Sequence, residues 1–388
     1  MIEICPKESC TGCAACMGAC HKDAITMTVD LNRLGHLYPV INPELCVDCG
    51  ACKKKCPQVN EIQLHKPEQA FATWALDQHV HMKSTSGGLA FTIAYEFMDK
   101  WNGVVYACVA AYEAELSIKH VRIEDKGELH RIQGSKYVQS EINGILFKQI
   151  RNDLRSNRKV LFIGTPCQVA AARSVVDKMN DNFFCIDIIC HGVPSVKLLQ
   201  DYVKTISSDK IREISFRSSV DTSSVLSLSV LFANGSLLRR SVGYSSYFSA
   251  FLRSLSYRDS CYRCRFAQPC RTGDITLGDF WGLGKLKTSV FNPHLGVSVF
   301  LSNTDKASTL KSLISQKIFA EERTVEEALK GNPQLNQPAR RNLLNPSFVY
   351  LYPRLGYKWS ARLCTVKDKI HYLIFVPLVS KIYSLCRK

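Results

Sequence analysis

The 388-residue chain lacks any run of 18 or more apolar residues, so no segment reads as a helix that spans a bilayer. Its start, Met1-Ile2-Glu3-Ile4-Cys5, lacks a charged region followed by an apolar stretch, which predicts no secretory signal and a cytoplasmic location. Acidic residues are scarce: 34 Asp and Glu stand against 50 Lys and Arg, a formal charge of +16. No nucleic-acid motif accompanies that charge, and nucleic acid is not expected as a partner. Anionic cofactor phosphates, an acidic redox partner or a membrane surface are the expected counterparts, with a solvated face as the alternative. Cysteine, by contrast, is abundant. Eighteen cysteines in a chain without export are expected as thiols or metal ligands rather than disulfides.

Eight of them form two runs of one spacing. Cys10-x2-Cys13-x2-Cys16-x3-Cys20 is followed by Cys46-x2-Cys49-x2-Cys52-x3-Cys56 and Pro57. This is the spacing of a bacterial-type ferredoxin with two 4Fe–4S clusters, where the fourth cysteine of each run reaches the other cluster. Cys10, Cys13, Cys16 and Cys56 are therefore assigned to one cluster, and Cys46, Cys49, Cys52 and Cys20 to the other. Zinc sites favour paired ligands set further apart. Two clusters with thiolate ligands, each of about −2, would remove roughly 4 units of the formal charge. Cys5 lies outside the spacing and reads as a bystander. His21 stands where such a run would usually have proline.

Residues 1–60 form a ferredoxin module too small to hold a core without metal staples. Residues 61–69 read as a linker. From 70 to 345 strand and helix patterns alternate. Strands are expected at Ala70–Leu76, Gly103–Ala110, Lys159–Ile163 and Phe183–Ile189. Helices are expected at Leu89–Trp101, Asn143–Arg155, Gln168–Met179 and Val196–Ile206. This alternation argues for an α/β core with a mostly parallel sheet. Val225–Phe232 and Ser236–Val242 flank Asn234-Gly235, a type I′ hairpin signal. A helix at Tyr247–Leu255, strands at Asp274–Leu277 and Val297–Ser302, and a helix at Asp305–Ser315 complete the pattern. The fold class is α+β / α/β: a two-cluster ferredoxin domain followed by an α/β domain with a mixed sheet. Beyond Gly331 the chain reads as irregular, and 346–388 as a basic tail. The part from Lys367 to Lys388 is too short to span a bilayer. It is expected to dock on the core or to make peripheral membrane contact.

Five constellations carry chemistry. Ser84-Thr85-Ser86-Gly87-Gly88 precedes a helix, where glycines admit a phosphate and hydroxyls and the helix N-terminus donate to it; a plain helix cap is the alternative. Gly164-Thr165-Pro166-Cys167-Gln168 and Cys190-His191-Gly192-Val193-Pro194 follow consecutive buried strands, at the sheet edge where α/β folds bind ligands. The helix N-terminus is expected to lower the pKa of Cys167. Two buried structural cysteines are the alternative. Cys261-x2-Cys264-x5-Cys270 precedes Gly273-Asp274-Ile275-Thr276-Leu277-Gly278-Asp279-Phe280-Trp281-Gly282. Cys167, Cys190, Cys261 and Cys264 could close a third metal or cluster site, with Cys270 spare. Gly134-Ser135-Lys136-Tyr137-Val138-Gln139-Ser140 offers Ser135 and the Lys136 ammonium to a phosphate or a reduced flavin, or is an ordinary turn.

In that order, Ser84–Gly88, Gly134–Ser140, Gly164–Gln168, Cys190–Pro194 and Cys261–Gly282 resemble the family of beta subunits of coenzyme F420 hydrogenases and dehydrogenases. The chain is most similar to bacterial members with a fused two-cluster ferredoxin, from Cys10 to about Arg341. The resemblance implies FAD in the α/β domain and an iron–sulfur cluster beside it, a third 4Fe–4S cluster here. Flavin contacts would come from Ser84, Thr85, Ser86, Gly87, Gly88, Ser135, Lys136, Gly164 and Thr165. His191 is a candidate proton donor, with a structural role as the alternative. The expected function is an iron–sulfur flavoprotein oxidoreductase, served by a redox partner protein or reduced ferredoxin and acting on a small-molecule acceptor. A non-catalytic electron-transfer subunit and a metal-binding interaction module are the alternatives.

Overall fold

The computed structural model describes residues 3–113, 115–176, 180–217, 227–286, 288 and 295–370. Each cysteine run closes on a short helix. α1 (Ala15–Ala19) carries Cys16 and α2 (Ala51–Lys54) carries Cys52. Between them, β1 (Ile25–Val29) and β2 (Leu37–Ile41) pair antiparallel. Both helices are entered through a left-handed residue, Ala14 at φ 59° and Gly50 at φ 72°, which turns the loop tightly back on itself.

The body begins with β3 (Gln69–Ala75), α3 (Gln78–Lys83), α4 (Leu89–Trp101), β4 (Val104–Ala111) and β5 (Ser117–Ile123). Next come α5 (Gly144–Arg155), β6 (Val160–Gly164), α6 (Pro166–Val175), β7 (Phe183–Ile188) and α7 (Val196–Lys204). A three-stranded side sheet follows, of β8 (Ile211–Ser215), β9 (Ser227–Phe232) and β10 (Leu237–Ser241). The chain then runs through α8 (Ser246–Leu252), β11 (Ile275–Asp279), β12 (Ser298–Ser302), α9 (Asp305–Ile314), β13 (Ile318–Arg323), α10 (Val325–Gly331) and α11 (Asn345–Ile370).

The main sheet has the order β13-β3-β12-β11-β7-β6-β4-β5. β4, β6, β7 and β11 are mutually parallel; the flanking pairings are antiparallel. The sheet is thus mixed, and the expectation of a mostly parallel one holds only for its centre. That centre is buried on both faces, so its strands are near-continuous apolar runs. Val105, Leu161 and Phe184 face α4 and α9; Tyr106, Phe162 and Cys185 face α5 and α6. Truncating a fully buried ring such as Phe97 or Phe162 to alanine is expected to cost about 3–5 kcal/mol.

Two sequence expectations are corrected. Among Ala233, Asn234 and Gly235 only Gly235 has positive φ (84°), and Phe232 pairs with Ser236 across a three-residue loop, so the hairpin is not type I′. Asn234 stays right-handed because its Oδ1 accepts from the Ser236 amide (2.8 Å) while its amide donates to Asp209 (2.7 Å). The C-terminal region is not irregular throughout. α11, broken at Gly356 (φ 69°), inserts Phe348, Tyr352, Tyr357, Ala361 and Cys364 into the core beside α7 and α8. Large apolar residues on its outer face, Tyr350, Leu355, Trp359, Leu363 and Val366, together with Pro353, hid this period. Residues 371–388, and with them most of the stretch read as core-docking or membrane-associated, lie outside the described residues. No helix among the described residues is long and apolar enough to cross a membrane.

The ferredoxin-like segment is welded to α5 and α6. A Cβ on Gly18 would stand 2.5 Å from the Phe147 ring, so only glycine admits this approach. The Gly144 amide donates to Met17 Sδ, Arg151 donates to the Gly18 carbonyl, and Ser174 donates to the Lys55 carbonyl. Segment 61–69 lies along the body, where His65 and Arg271 exchange two backbone hydrogen bonds of 2.9 and 2.8 Å.

Candidate functional site

Cys10, Cys13, Cys16 and Cys56 line one cradle, closed by Ile4, Thr11, Gly12, Met27 and Pro39. The cradle holds the fourth cysteine of the second run with the first three of the first run. Cys5, read from the spacing as a bystander, lines it too. Its thiol donates to Cys10 and Cys56, which pulls Cys10 down to about 6 and Cys56 down to about 7 and pushes Cys5 far up. Burial pushes Cys13 up to about 11 and raises Cys16 as well. Four thiols around an apolar cradle, two of them held toward the thiolate, suit a cluster that needs thiolate ligands.

The second set opens to the surface. Burial is the main cause raising the Cys52 thiol, and Cys20 and Cys49 are near enough to add to it. Cys20 and Cys46 pack with Cys52 in a small apolar group, and Cys20 accepts from the Ala24 amide at 3.4 Å. Cys49 is exposed.

A third set stands at the carboxyl ends of β6 and β7. Cys167, second residue of α6, and Cys190, just past β7, are brought to Cys261 and Cys264 of the loop before β11. Burial pushes Cys167 well above the ordinary thiol range; Cys264, Cys190 and Cys13 are close enough to contribute. The lowering expected from the helix N-terminus is thus overridden by desolvation. Burial also raises Cys190, to about 11, and Cys261, with Cys264 adding to both shifts. The influence of Cys13 on Cys167 puts the first cradle next to this set. Among the described residues no three His, Cys, Asp or Glu side chains converge as for a single metal ion.

Beside the third set lies a polar cluster that the sequence only half revealed. Arg217 grips Asp279, the last residue of β11, with two parallel bonds of 3.2 and 2.6 Å, and donates to the Thr85 carbonyl at 2.8 Å. The Ser135 amide donates to Thr85 Oγ1 at 2.6 Å, which ties the 134–140 turn to the Ser84–Gly88 loop. His191 is close enough to Asp279 and Arg217 to feel both; burial is the larger effect and lowers its pKa. The guanidinium also lies over the Tyr137 ring, 5.8 Å from its centroid.

Much of the expected phosphate-binding equipment is otherwise engaged. Ser84 Oγ donates to the Val80 carbonyl, and Ser298 Oγ donates to Ser86 Oγ while accepting from the Gly87 amide. Gly87 is glycine because a Cβ would lie 2.3 Å from the Thr73 carbonyl. Lys136 Nζ donates to the carbonyls of Arg131, Ile132 and Gln133 at 3.0–3.2 Å, capping a 3₁₀ turn. It does not point an open ammonium at a ligand, which corrects its expected role. Thr165 N and Oγ1 both donate to Gln168 Oε1, and Gly164 ends β6 beneath them. What remains for an anionic group is the N-terminus of α4 and Arg217, whose Nε is buried without a partner among the described residues. On that observation the polar cluster keeps one buried donor to spare for an anionic group.

Arg217 and Cys5 left no spacing signal in the sequence. Asp279 did lie in a quoted segment, and its place at the end of a buried strand is the signal that could have marked it. Arg258 was equally silent, since its partners sit 119 to 248 positions away.

Residues 157–328 match the family model for the C-terminal part of the coenzyme F420 hydrogenase/dehydrogenase beta chain, and residues 9–60 match the model "4Fe-4S dicluster domain". The chain is 22% identical over 225 residues to the F subunit of F(420)H(2) dehydrogenase from Methanosarcina mazei, covering 54% of this chain and 62% of that one. It is 34% identical over 59 residues to the VorC subunit of ketoisovalerate oxidoreductase from Methanothermobacter marburgensis, covering 15% and 75%. A solved chain from the F420-reducing NiFe hydrogenase complex of Methanosarcina barkeri aligns with a TM-score of 0.45 at 16% identity, over 72% of this chain and 97% of that one. The chain spans about three fifths of the length of the F subunit, and both curated relatives are subunits of oxidoreductases. Residues 157–328 thus carry the C-terminal domain of the coenzyme F420 hydrogenase/dehydrogenase beta subunit family, behind an N-terminal 4Fe–4S dicluster domain.

Proposed function

We propose that the chain is an iron–sulfur flavoprotein oxidoreductase that passes electrons between ferredoxin-type clusters and an organic acceptor at the Arg217–Asp279 pair. The supporting observation is the succession of thiols. Exposed Cys49 belongs to the second set, the first cradle lies deeper, its Cys13 neighbours Cys167, and Cys190 is followed directly by His191. Residues 1–60 would act as the electron port, 61–69 as the link and 70–345 as the flavin-binding unit.

In this reading Cys10, Cys13, Cys16 and Cys56 hold one 4Fe–4S cluster, Cys20, Cys46, Cys49 and Cys52 a second, and Cys167, Cys190, Cys261 and Cys264 a third. Bound there, clusters supply one-electron transfer, and FAD near Thr85, Ser135 and Arg217 supplies the link to two-electron chemistry. The residues do the rest. Arg217 would bind and orient an anionic group through its unpartnered Nε, with Asp279 fixing the guanidinium plane. Tyr137 lies against the guanidinium. His191, kept neutral near pH 7 by burial, takes up a proton and returns it as the acceptor changes charge.

Anaerobically reconstituted protein is expected to contain about 12 iron per chain, at four per cluster, together with acid-labile sulfide and one flavin. Cys261→Ser is expected to drop iron to about 8. A count of about 8 that Cys261→Ser leaves unchanged would sink the third cluster; absent flavin would sink the flavoprotein reading.

A second reading, a relay subunit with no acceptor of its own, is supported by the names of the relatives, which are subunits. Solo turnover separates the two. Dithionite-reduced protein that reduces a small-molecule acceptor without a partner is an enzyme in itself.

A further inference from the structure

Arg258 is among the most deeply buried side chains of the molecule, 1% exposed, yet among the described residues it has no carboxylate partner. Its neighbour Asp259 is taken by Arg33 and Arg341. The guanidinium instead spans the joint between body and ferredoxin module. Nε donates to the Cys10 carbonyl at 2.5 Å, one Nη donates to the Leu37 carbonyl at 2.8 Å and to Cys10 Sγ at 3.5 Å, and the other donates to Gln139 Oε1 at 3.2 Å. Tyr38 covers the group, its ring centroid 4.2 Å away. Gly12 makes room for it: a Cβ there would stand 2.8 Å from the Arg258 Nη, and φ is +65°. Carbonyls and a ring satisfy hydrogen bonds but do not neutralise a full charge, and a buried unpaired charge is strongly disfavoured. Among the described residues the anion it touches is the thiolate of Cys10, with Cys261 of the third set within its electrostatic range.

We propose that Arg258 is the built-in counter-charge of the cluster held by Cys10, Cys13, Cys16 and Cys56, and that it raises this cluster's reduction potential. The inference rests on the cluster reading of that cradle. Each reduction adds one electron, and so one negative charge, to a cluster already about −2; a fixed cation hydrogen-bonded to a ligand sulfur stabilises the reduced form more than the oxidised one. Because Arg258 sits on the loop that continues into Cys261 and Cys264, the same residue sets the position of the first cradle against the third set. It draws electrons from the exposed second set toward the body. Arg258 is a positioning residue, acting through Cys10.

The test is an EPR-monitored redox titration of the full-length, anaerobically reconstituted protein with dithionite as reductant. In Arg258→Gln, one cluster is expected to become at least tenfold harder to reduce, a shift of about 59 mV to the negative for one electron. The cluster of the second set keeps its potential, any shift at the third set, whose Cys261 lies within range of Arg258, is smaller, and iron and sulfide stay at wild-type content. Arg258→Lys, which keeps the charge and loses the planar fork, is expected to stay within threefold of wild type. Potentials unmoved in a fully loaded Arg258→Gln protein would overturn the proposal, as would a lysine variant shifted as far as the glutamine one. If Arg258→Gln cannot hold iron, Arg258→Lys decides: wild-type iron and potential support the charge role, and loss of iron there too overturns it in favour of a scaffold. Wild-type protein without acid-labile sulfide would overturn the cluster reading itself, and the proposal with it.

Discussion

Arg217 and Asp279 face each other as a two-pronged pair, 3.2 and 2.6 Å apart, where β11 reaches the edge of the sheet. The pair is only 12% and 22% exposed in its side chains. It joins the strand end to the Thr85 loop and leaves Arg217 Nε buried without a hydrogen-bond partner among the described residues. Bidentate, partly desolvated pairs hold geometry as well as energy.

Asp279→Asn is therefore expected to lower flavin retention and acceptor turnover together, by about tenfold, while costing about 1–3 kcal/mol of stability. Arg217→Met is expected to do the same with a larger loss of flavin. Flavin content after gel filtration and steady-state kinetics measure this. Variants with full flavin and turnover would separate the pair from the site.

The crossed thiol sets make a spectroscopic prediction. Cys56→Ser is expected to perturb the same cluster as Cys10→Ser, and Cys20→Ser the same one as Cys49→Ser. The EPR spectra of the dithionite-reduced variants report it. Cys56→Ser altering the cluster that Cys49→Ser alters would break the assignment drawn from the cradle.

Cys5 is expected to matter for the first cluster although it lies outside the run. Its thiol donates toward Cys10 and Cys56. Cys5→Ala is expected to leave iron content unchanged and to make that cluster several-fold harder to reduce, since a hydrogen bond to a ligand sulfur favours the reduced state. Redox titration checks it, and an unchanged potential would make Cys5 a packing residue only.

Asp187 and Arg271 form the most deeply buried ion pair of the body, 2.8 Å apart with both side chains at 1% exposure or less. Asp187 also accepts from the Thr272 and Gly273 amides and the Thr272 hydroxyl, so the carboxylate is fully used. Removing one partner strands the other charge. Arg271→Met is expected to cost about 3–5 kcal/mol, read as a lowered melting temperature.

His120 predicts a pH dependence. It is buried beneath the sheet edge; Nε2 meets the Ile163 carbonyl at 3.0 Å and Nδ1 meets Ser140 Oγ at 3.0 Å. Burial pulls its pKa down to about 4 from 6.5. The unfolded chain takes up a proton near pH 6.5 that the folded chain refuses until about pH 4, so stability falls as pH drops through that window. The cost is about 1.4 kcal/mol per pH unit. Urea titrations at pH 7 and 5 on wild type and His120→Gln are expected to show a smaller acid loss in the variant.

Several parts of the molecule were legible in the amino-acid order. Ligand spacing is local, so the two cysteine runs announced themselves. Leu89–Trp101 was readable because its apolar residues recur at helical spacing, and the centre of the sheet because both of its faces are buried. The expected hydroxyl and lysine contacts at Ser84–Gly88 and Lys136 were less well read. A Ser or Lys side chain serves its own backbone as readily as a phosphate, and here it does.

By itself the sequence determined the cysteine ligand types, the crossed pairing of the two runs and the alternating strands and helices at the centre of the sheet, though not β5, β8, β13 or α11. Only the tertiary structure decided that Cys5 lines the cradle of Cys10 and Cys56, and that Cys13 neighbours Cys167. It also placed Arg258 on Cys10 from 248 positions away and set Arg217 against Asp279. The physical reason is the range of the forces involved. Periodicity and turn chemistry act over a few residues and leave a trace in the chain. Burial, charge and close approach act through space, between residues that only the folded sheet brings together.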